Sequence, residues 1–187
     1  TISDEMSSVI EISSNTVVVV VVDTDNPSLN NGPINGWVVG GVLKTGKIDD
    51  RITFLKSLSE KTPDVKFDIY GIDKIQPIWA DHYFKTIANA KMGLNLSRGE
   101  AIKYYSSDRI TQIVGNGLVC LIDEKTQYRN FFNDKEMIFY KNINDLSEKI
   151  LEISSDDKKR KMIAKKGKEK YMKYFNSTLV ADFIINK

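Results

Sequence analysis

Short runs of apolar, often β-branched residues recur along the chain and alternate with segments of helical periodicity. Most of these runs lack regular polar alternation, which is typical of strands that are buried on both faces of a parallel sheet. The pattern predicts strands at residues 16–22, 36–42, 66–70, 92–96, 118–122 and 137–140.

The segments with helical spacing lie between and after these runs. They predict helices at residues 50–60, 83–90, 107–114, 144–152, 156–174 and 178–185. In the third helix, we expect Ile110, Ile113 and Val114 to face the core because they form one apolar stripe. The opposite, polar face of that helix carries Arg109, Gln112 and Asn116. The residue types that favour helix starts predict caps at Ser154, Ser155 and Ser177.

Strands that alternate with helices predict an α/β fold, a Rossmann-like three-layer αβα domain with a parallel sheet. Residues 25–35 (DNPSLNNGPIN) are dense in Pro, Gly, Asn and Ser, which indicates a linker or long turn. We therefore divide the chain into an N-terminal strand and linker, residues 1–36, and a Rossmann-like domain with C-terminal helices, residues 37–187.

The length of 187 residues, with 41% hydrophobic and 28% charged residues, is sufficient for one globular domain with its own core. The net charge of +2 conceals a local excess: residues 158–173 hold nine Lys or Arg against one Glu, so the rest has 18 basic and 24 acidic groups. A chain that is acidic elsewhere is a poor nucleic-acid binder. The basic segment is either a solvated helix face or a contact for an anionic membrane. The solvated alternative places four side chains inward: Met162, Ile163, Tyr171 and Tyr174.

The only cysteine, Cys120, lies within an apolar run, so an intramolecular disulfide is impossible and a reducing compartment is favoured. The longest apolar run, residues 17–22, is too short to cross a bilayer. These features predict a cytoplasmic protein, with peripheral attachment to the inner face of a membrane as one option.

The loops that lead from strands into helices are the places to look for a site, because ligands of open parallel sheets bind beyond the carboxyl ends of the strands. Residues 40–51 (GGVLKTGKIDDR) form the first such loop. Gly40 and Gly41 permit close backbone approach, and Lys44, Lys47 and Arg51 are cations suited to phosphate. The loop is neither a Walker motif nor a GxGxxG fingerprint. Its alternative interpretation is a glycine turn with solvated lysines.

A second candidate loop precedes the helix at residues 107–114, within the stretch KYYSSDRITQIVGNG (103–117). Ser106 or Ser107 can cap the helix. Arg98 and Arg109 lie on either side of this loop, and a guanidinium binds a diphosphate in bidentate fashion beside the positive end of the helix dipole. The alternative is a capped surface helix with a solvated arginine.

From Trp37 to Phe175, the order of these motifs resembles the C-terminal, donor-binding half of GT-B glycosyltransferases, of the spore-maturation-protein-like or glycosyltransferase group 1 type. The segments that carry the resemblance are GGVLK with Arg51, KFDIYG, AKMGLNLSRG, YYSSDRITQIVGNGLVCLIDE, NDKEMIFYKNINDLSEKI and RKMIAKKGKEKYMKYF. The sharpest of them, SSDRITQIVGNG, matches the family pattern of a helix that starts with Arg, continues to a Glu or Gln and feeds a strand through glycine.

The resemblance implies that the chain binds a nucleotide-sugar donor. Gly40 and Gly41 fall on the family's glycine loop, Lys44 or Arg51 on its phosphate partners, and Gln112 on a ribose-binding position. The full set of expected donor-binding residues is Gly40, Gly41, Lys44, Arg51, Arg98, Tyr105, Ser106, Ser107, Asp108, Arg109 and Gln112. We expect neither a metal nor another cofactor, because arginine and helix amides can stabilise the leaving diphosphate. No catalytic residue is assigned, and His82, the only histidine, is expected at the surface.

Two departures from the family pattern limit what the resemblance implies. Retaining members carry two glutamates separated by seven residues, and the matching positions here are Tyr104 and Gln112, which leaves the stereochemical outcome open. No whole acceptor domain is present in residues 1–36, so transfer needs a missing N-terminal domain or a partner chain, and the isolated chain is expected to be poorly active. The alternative function is a non-catalytic Rossmann-like module that binds nucleotides or anionic surfaces.

Overall fold

The computed structural model describes residues 16–20, 50–70, 78, 80–96, 99–105 and 108–186. Its strands are β1 (Thr16–Val20), β2 (Lys66–Tyr70), β3 (Met92–Asn95), β4 (Val119–Asp123) and β5 (Ile138–Tyr140). Its helices are α1 (Asp50–Lys61), α2 (Ala80–Ala88), α3 (Asp108–Gly115), α4 (Ile143–Ser155), α5 (Asp157–Tyr174) and α6 (Ser177–Ile185). Each of these elements was predicted from the sequence to within a few residues.

The five strands form one parallel sheet in the order β2-β1-β3-β4-β5. β1 lies inside it, with Val17 opposite Phe67 of β2 and also opposite Met92 of β3. Residues 16–20 therefore share a sheet with the later strands, although the sequence pattern predicted that they belong to an N-terminal strand and linker. The predicted strand at 36–42 and the proposed boundary at residue 36 lie outside the described residues.

Alternate residues of the strands feed two apolar clusters on opposite faces of the sheet. Leu121 of β4 packs with side chains of α1 and α4, including Leu55 and Leu146. The next residue, Ile122, packs in the cluster that contains Ile110 of α3. Helices therefore cover both faces, and the predicted three-layer αβα architecture is confirmed.

The position of α3 against the sheet depends on Gly93 in β3. A methyl group at this residue would fall 2.5 to 2.9 Å from three carbon atoms of Ile113. Because glycine has no side chain, α3 can lie this close to β3, and the buried stripe of Ile110, Ile113 and Val114 is the one that the sequence predicted.

The helix caps differ from the predicted serines. The side chain of Asn142 caps α4, that of Asp156 caps α5 and that of Asn176 caps α6. Ser155 instead donates from its hydroxyl to the carbonyl of Glu152 within α4. Asn and Asp accept from the free amides of a first turn as well as Ser does, so residue type alone did not decide between neighbouring candidates.

The buried side of α5 was predicted only in part. Ile163 and Tyr171 are buried, but Met162 and Tyr174 are 47% and 55% exposed. The buried stripe continues instead through Arg160, Ala164 and Gly167, which follow a spacing of three or four residues. No residue of α6 is buried, and among the helices that the structure describes none is long and apolar enough to span a bilayer.

Candidate functional site

The sheet changes direction between β1 and β3. The connection from β1 through α1 leads to β2 on one side, whereas β3, β4 and β5 follow on the other side. Loops that leave the two central strands diverge at such a switch point, and the crevice between them is where open parallel sheets bind ligands. By this rule the crevice is expected at the carboxyl ends of β1 and β3, beside Val20 and Asn95.

Both predicted loops follow a central strand of the sheet in the sequence. Residues 21–49 follow β1 and residues 96–107 follow β3, the two strands that flank the switch point. Six predicted site residues within these segments lie outside the described residues: Gly40, Gly41, Lys44, Arg98, Ser106 and Ser107. Asp108 is the first residue of α3. The contacts of these six residues stay predictions.

Two arginines are buried where helices begin at this edge. Arg51 is the second residue of α1 and is 6% exposed, and Arg109 is the second residue of α3 and is 8% exposed. Fully buried arginine is rare because removing the charge from water is costly. The two helices cover opposite faces of the sheet, so their positive N-terminal ends, where these two residues stand in the chain, lie on either side of the sheet edge.

The burial of Arg109 on the polar face of α3 contradicts the alternative interpretation of a capped surface helix with a solvated arginine. Gln112, one turn further along, is half-buried, and its side-chain oxygen is buried without a hydrogen-bond partner among the described residues. Asn116 does not continue this face toward the crevice. It is exposed beyond the end of the helix, where its side-chain amide donates to the carbonyl of Gln112 at 2.7 Å.

Tyr105 is the remaining predicted residue of the second loop that the structure describes. Its side chain is 43% exposed, and its backbone amide donates to the carbonyl of Ile102 at 3.2 Å. Two residues separate this accessible aromatic ring from Asp108, the first residue of α3.

Sequence reasoning missed a row of polar residues that end the strands. Asn95, Asp123 and Tyr140 are the last residues of β3, β4 and β5, and Asp123 pairs in register with Tyr140. Burial, together with the negative charge of Asp123, raises the pKa of Tyr140 above its usual range, so Tyr140 keeps its proton at neutral pH. In the sequence, these positions could have been found as the polar residue at or near the end of each apolar run.

His82 is exposed on α2, with its ring edge-on to Tyr70 at 6.1 Å between ring centroids. This agrees with the expectation of a surface residue. Within the described ranges, no group of three or more His, Cys, Asp or Glu side chains gathers as metal ligands. That no metal is needed stays a prediction.

Comparison with known proteins identifies the fold. The family model described as glycosyl transferase-like matches residues 51–186. S. aureus TarM, crystallised with Fondaparinux, alpha-GlcNAc-glycerol and UDP, is similar with a TM-score of 0.61 and 15% identity, over 93% of this chain and 35% of TarM. Anabaena HepE, crystallised with UDP, has a TM-score of 0.62 and 9% identity, over 98% of this chain and 52% of HepE. No curated protein matches the sequence at a significant level.

The chain therefore spans about a third to a half of the solved proteins that it resembles. The expected GT-B architecture is confirmed, whereas the narrower likeness to spore-maturation proteins stays a prediction. With a model match over most of its length and a parallel sheet that opens at a switch point, the chain belongs to the glycosyl transferase-like family, as a domain of the GT-B fold.

Proposed function

We propose that this chain is the donor-binding half of a glycosyltransferase and that it binds a nucleoside diphosphate sugar at the crevice between β1 and β3. The observation that carries the proposal is Arg109, a buried cation in the first turn of a helix that starts at this crevice. TarM and HepE were both crystallised with UDP, which makes UDP the first nucleotide to test.

The chemistry of the site suits a diphosphate. A guanidinium binds two phosphate oxygens at once, and the free amides of a first helical turn add donors without a mobile side chain. During transfer, negative charge grows on the leaving diphosphate, and donors that are already in place stabilise it more as the charge develops. Arg109 and Arg51 are the described cations that we assign to this role.

Gln112 is assigned to the ribose. Its side-chain oxygen is buried and accepts no hydrogen bond within the described part of the chain, and a buried acceptor of this kind costs stability until a donor reaches it. A ribose hydroxyl is such a donor. An amide in place of a carboxylate can hold the hydroxyl but contributes no charge.

Transfer of the sugar requires an acceptor site. Because the chain spans only 35% and 52% of TarM and HepE, we propose that the acceptor half is supplied by further sequence or by a partner chain. The isolated chain is then a binding unit with little or no transfer activity.

Isothermal titration with UDP tests the donor site directly. We expect saturable binding by the natural chain, and a loss of at least about tenfold in affinity for Arg109→Gln, since charge-assisted bonds to phosphate are among the strong ones. Lys158→Ala, an exposed basic residue of α5, is the matched control and should bind as tightly as the natural chain. Circular dichroism of Arg109→Gln checks that the variant is folded.

Two results would contradict the proposal. One is the absence of binding by the natural chain to UDP and to other nucleoside diphosphates. The other is a folded Arg109→Gln that binds UDP unchanged, which would place the nucleotide elsewhere.

Attachment to an anionic membrane is a second candidate function, favoured by α6. Its apolar side chains Leu179, Val180, Ile184 and Ile185 are 47% to 79% exposed and follow directly on the basic helix α5. Five of the nine basic groups of that segment have carboxylate partners, which weakens the patch: Lys159, Arg160, Lys161, Lys165 and Lys170. Co-sedimentation with phosphatidylserine vesicles that is lost in about 0.5 M salt would support this role. This salt concentration is about five times the ionic strength at which the Debye length is ~10 Å, so it screens attraction between exposed charges.

A further inference from the structure

The loop before α3 contains a turn that is unusual for its residue type. The amide of Tyr105 donates to the carbonyl of Ile102, which closes a four-residue turn. Tyr104, the third residue of this turn, has a φ of +58°. Glycine or asparagine usually occupies such a position because a β-carbon makes the left-handed conformation unfavourable. A tyrosine persists there only if its contacts hold it.

Tyr104 makes three contacts with the turn that follows β4. Its backbone amide donates to the carbonyl of Thr126 at 2.9 Å, and its hydroxyl accepts from the side-chain amide of Asn130. Its ring meets that of Phe131 edge-on, with 5.1 Å between centroids. Both the backbone and the side chain of Tyr104 are therefore attached to residues 126–131.

The turn that receives Tyr104 is itself well ordered by hydrogen bonds. Asp123 caps the 3-10 helix Glu124–Thr126 by accepting from the amide of Lys125, and the hydroxyl of Thr126 donates back to the carbonyl of Asp123. Tyr128, in the next 3-10 helix, is buried in the core. The turn is therefore continuous with the end of β4, and its hydrogen bonds hold in place the residues that contact Tyr104.

We propose that Tyr104 is a positioning residue for nucleotide binding: it fastens residues 99–105 to the turn after β4 and so sets where the chain enters the first turn of α3. This inference rests on the proposed function, because it concerns the same crevice. Asp108 is four residues beyond Tyr104, so a residue held at 104 leaves the chain at most about 14 Å of reach before the helix begins. Arg109 and the first-turn amides are then presented to the diphosphate without a separate ordering step, which favours affinity.

The location of the anchor separates this role from one in overall stability. Tyr104 and Phe131 are 42% and 44% exposed, respectively, so their contact removes little apolar surface from water. The ammonium of Lys103 lies 4.9 Å from the centre of the Tyr104 ring, also on the outside. A residue that served the core alone would be buried. The unfavourable backbone conformation of Tyr104 is accordingly explained by the attachment of this loop to residues 126–131.

The test compares UDP affinity, amide hydrogen exchange and melting temperature for three variants of the whole chain. Tyr104→Gly keeps the positive φ and removes ring and hydroxyl, and Tyr104→Phe removes only the bond from Asn130. Gln127→Gly is the matched control, because Gln127 also has a φ of +58° and its side chain is exposed in the turn after β4. It relieves the same backbone strain and leaves the side chain of Tyr104 in place.

For Tyr104→Gly we expect UDP affinity to fall about tenfold, as it would if the competent loop were populated about one tenth of the time. Exchange of the amides at 99–105 should rise, and the melting temperature should change by less than about 3 °C, since surface contacts contribute little. Tyr104→Phe should bind at an intermediate level, and Gln127→Gly should bind like the natural chain.

The outcomes distinguish the two proposals. If the natural chain binds no nucleotide, the proposed function fails and this inference fails with it. If the natural chain binds UDP and Tyr104→Gly binds equally well, the donor site stands and only the positioning role is overturned. A loss of affinity in Gln127→Gly equal to that in Tyr104→Gly would also overturn the positioning role. The backbone conformation of the turn after β4, and not the side chain of Tyr104, would then be responsible for the lower affinity.

Discussion

Individual residues set how closely the layers of this domain approach each other. Gly93 lets Ile113 of α3 rest on β3, and Gly167 lets α5 lie against the carbonyl of Glu136, which a methyl group on Gly167 would overlap. Gly117 has a φ of +78° and closes α3, since its amide donates to the carbonyl of Val114. Gly93 and Gly167 are therefore needed for close packing, and Gly117 for its positive φ.

Gly167→Ala should destabilise the chain by about 2 kcal/mol, although alanine is the better helix former, because a backbone carbonyl cannot move away as a side chain can. Gly115→Ala is the matched control. There the new methyl would meet only the flexible end of Met172, at 3.5 Å, and the free energy of unfolding should stay the same or rise by about 0.5 kcal/mol. Urea unfolding of both variants measures the difference, and equal effects would argue against the close approach of α5.

Gly117→Ala should lower the free energy of unfolding by about 1 kcal/mol, because alanine is disfavoured at positive φ. The surroundings leave room for the methyl group, whose nearest neighbour would be the side chain of Lys168 at 3.8 Å. The cost therefore arises from the backbone alone. Gly117→Asn, which tolerates this conformation better, should recover part of the loss in the same assay.

At the scale of elements, α4 and α5 are each stabilised by a cap and by one buried face, whereas α6 has a cap and no buried residue. Asn142, Asp156 and Asn176 satisfy first-turn amides of α4, α5 and α6. The apolar stripe of α3 was predicted from the sequence, whereas the predicted caps near the start of α5 were Ser154 and Ser155. Several acceptors in a row leave the choice to backbone geometry, which depends on how α4 ends.

Asp156→Ala should therefore cost about 1 kcal/mol, because the amide of Lys159, now 2.8 Å from the Asp156 carboxylate, loses its partner. Ser155→Ala tests the prediction from sequence and should change stability by less than about 0.5 kcal/mol. Thermal unfolding of the two variants under identical conditions decides between them. A larger effect of Ser155→Ala would mean that the serine is the functional cap.

For the molecule as a whole, an ion pair joins α5 to the segment before β5. Lys170 donates to the Glu136 carboxylate at 2.9 Å, and the amide of Asn133 donates to the same carboxylate. Burial by itself raises the pKa of Glu136, but these two partners outweigh it, and the net pKa is lower than the ordinary value of 4.5. The folded chain thus favours the charged carboxylate more than the unfolded chain does.

A lowered pKa in the folded state gives stability that is present above the ordinary value and is lost as the pH falls through the folded-state pKa. We expect Glu136→Gln to be less stable than the natural chain by about 1 kcal/mol at pH 7. The gap should close progressively at pH values below 4.5. Glu60→Gln, an exposed residue of α1, should show no gap at either pH. Urea unfolding at pH 7 and pH 3 provides the comparison, and a gap that persists at pH 3 would exclude the carboxylate as its cause.

The amino-acid sequence by itself determined the elements and the class of fold, because buried parallel strands and amphipathic helices leave local apolar patterns that need no distant partner to be recognised. It also led us to propose Arg109 and Gln112 as site residues, since their spacing after a candidate cap is local. The tertiary structure alone decided that β1 lies between β2 and β3, that Arg51 and Arg109 are buried at one edge, and that Tyr104 is attached to residues 126–131. These are contacts between segments far apart in the chain, and strand order, burial and anchoring arise only when the layers pack together.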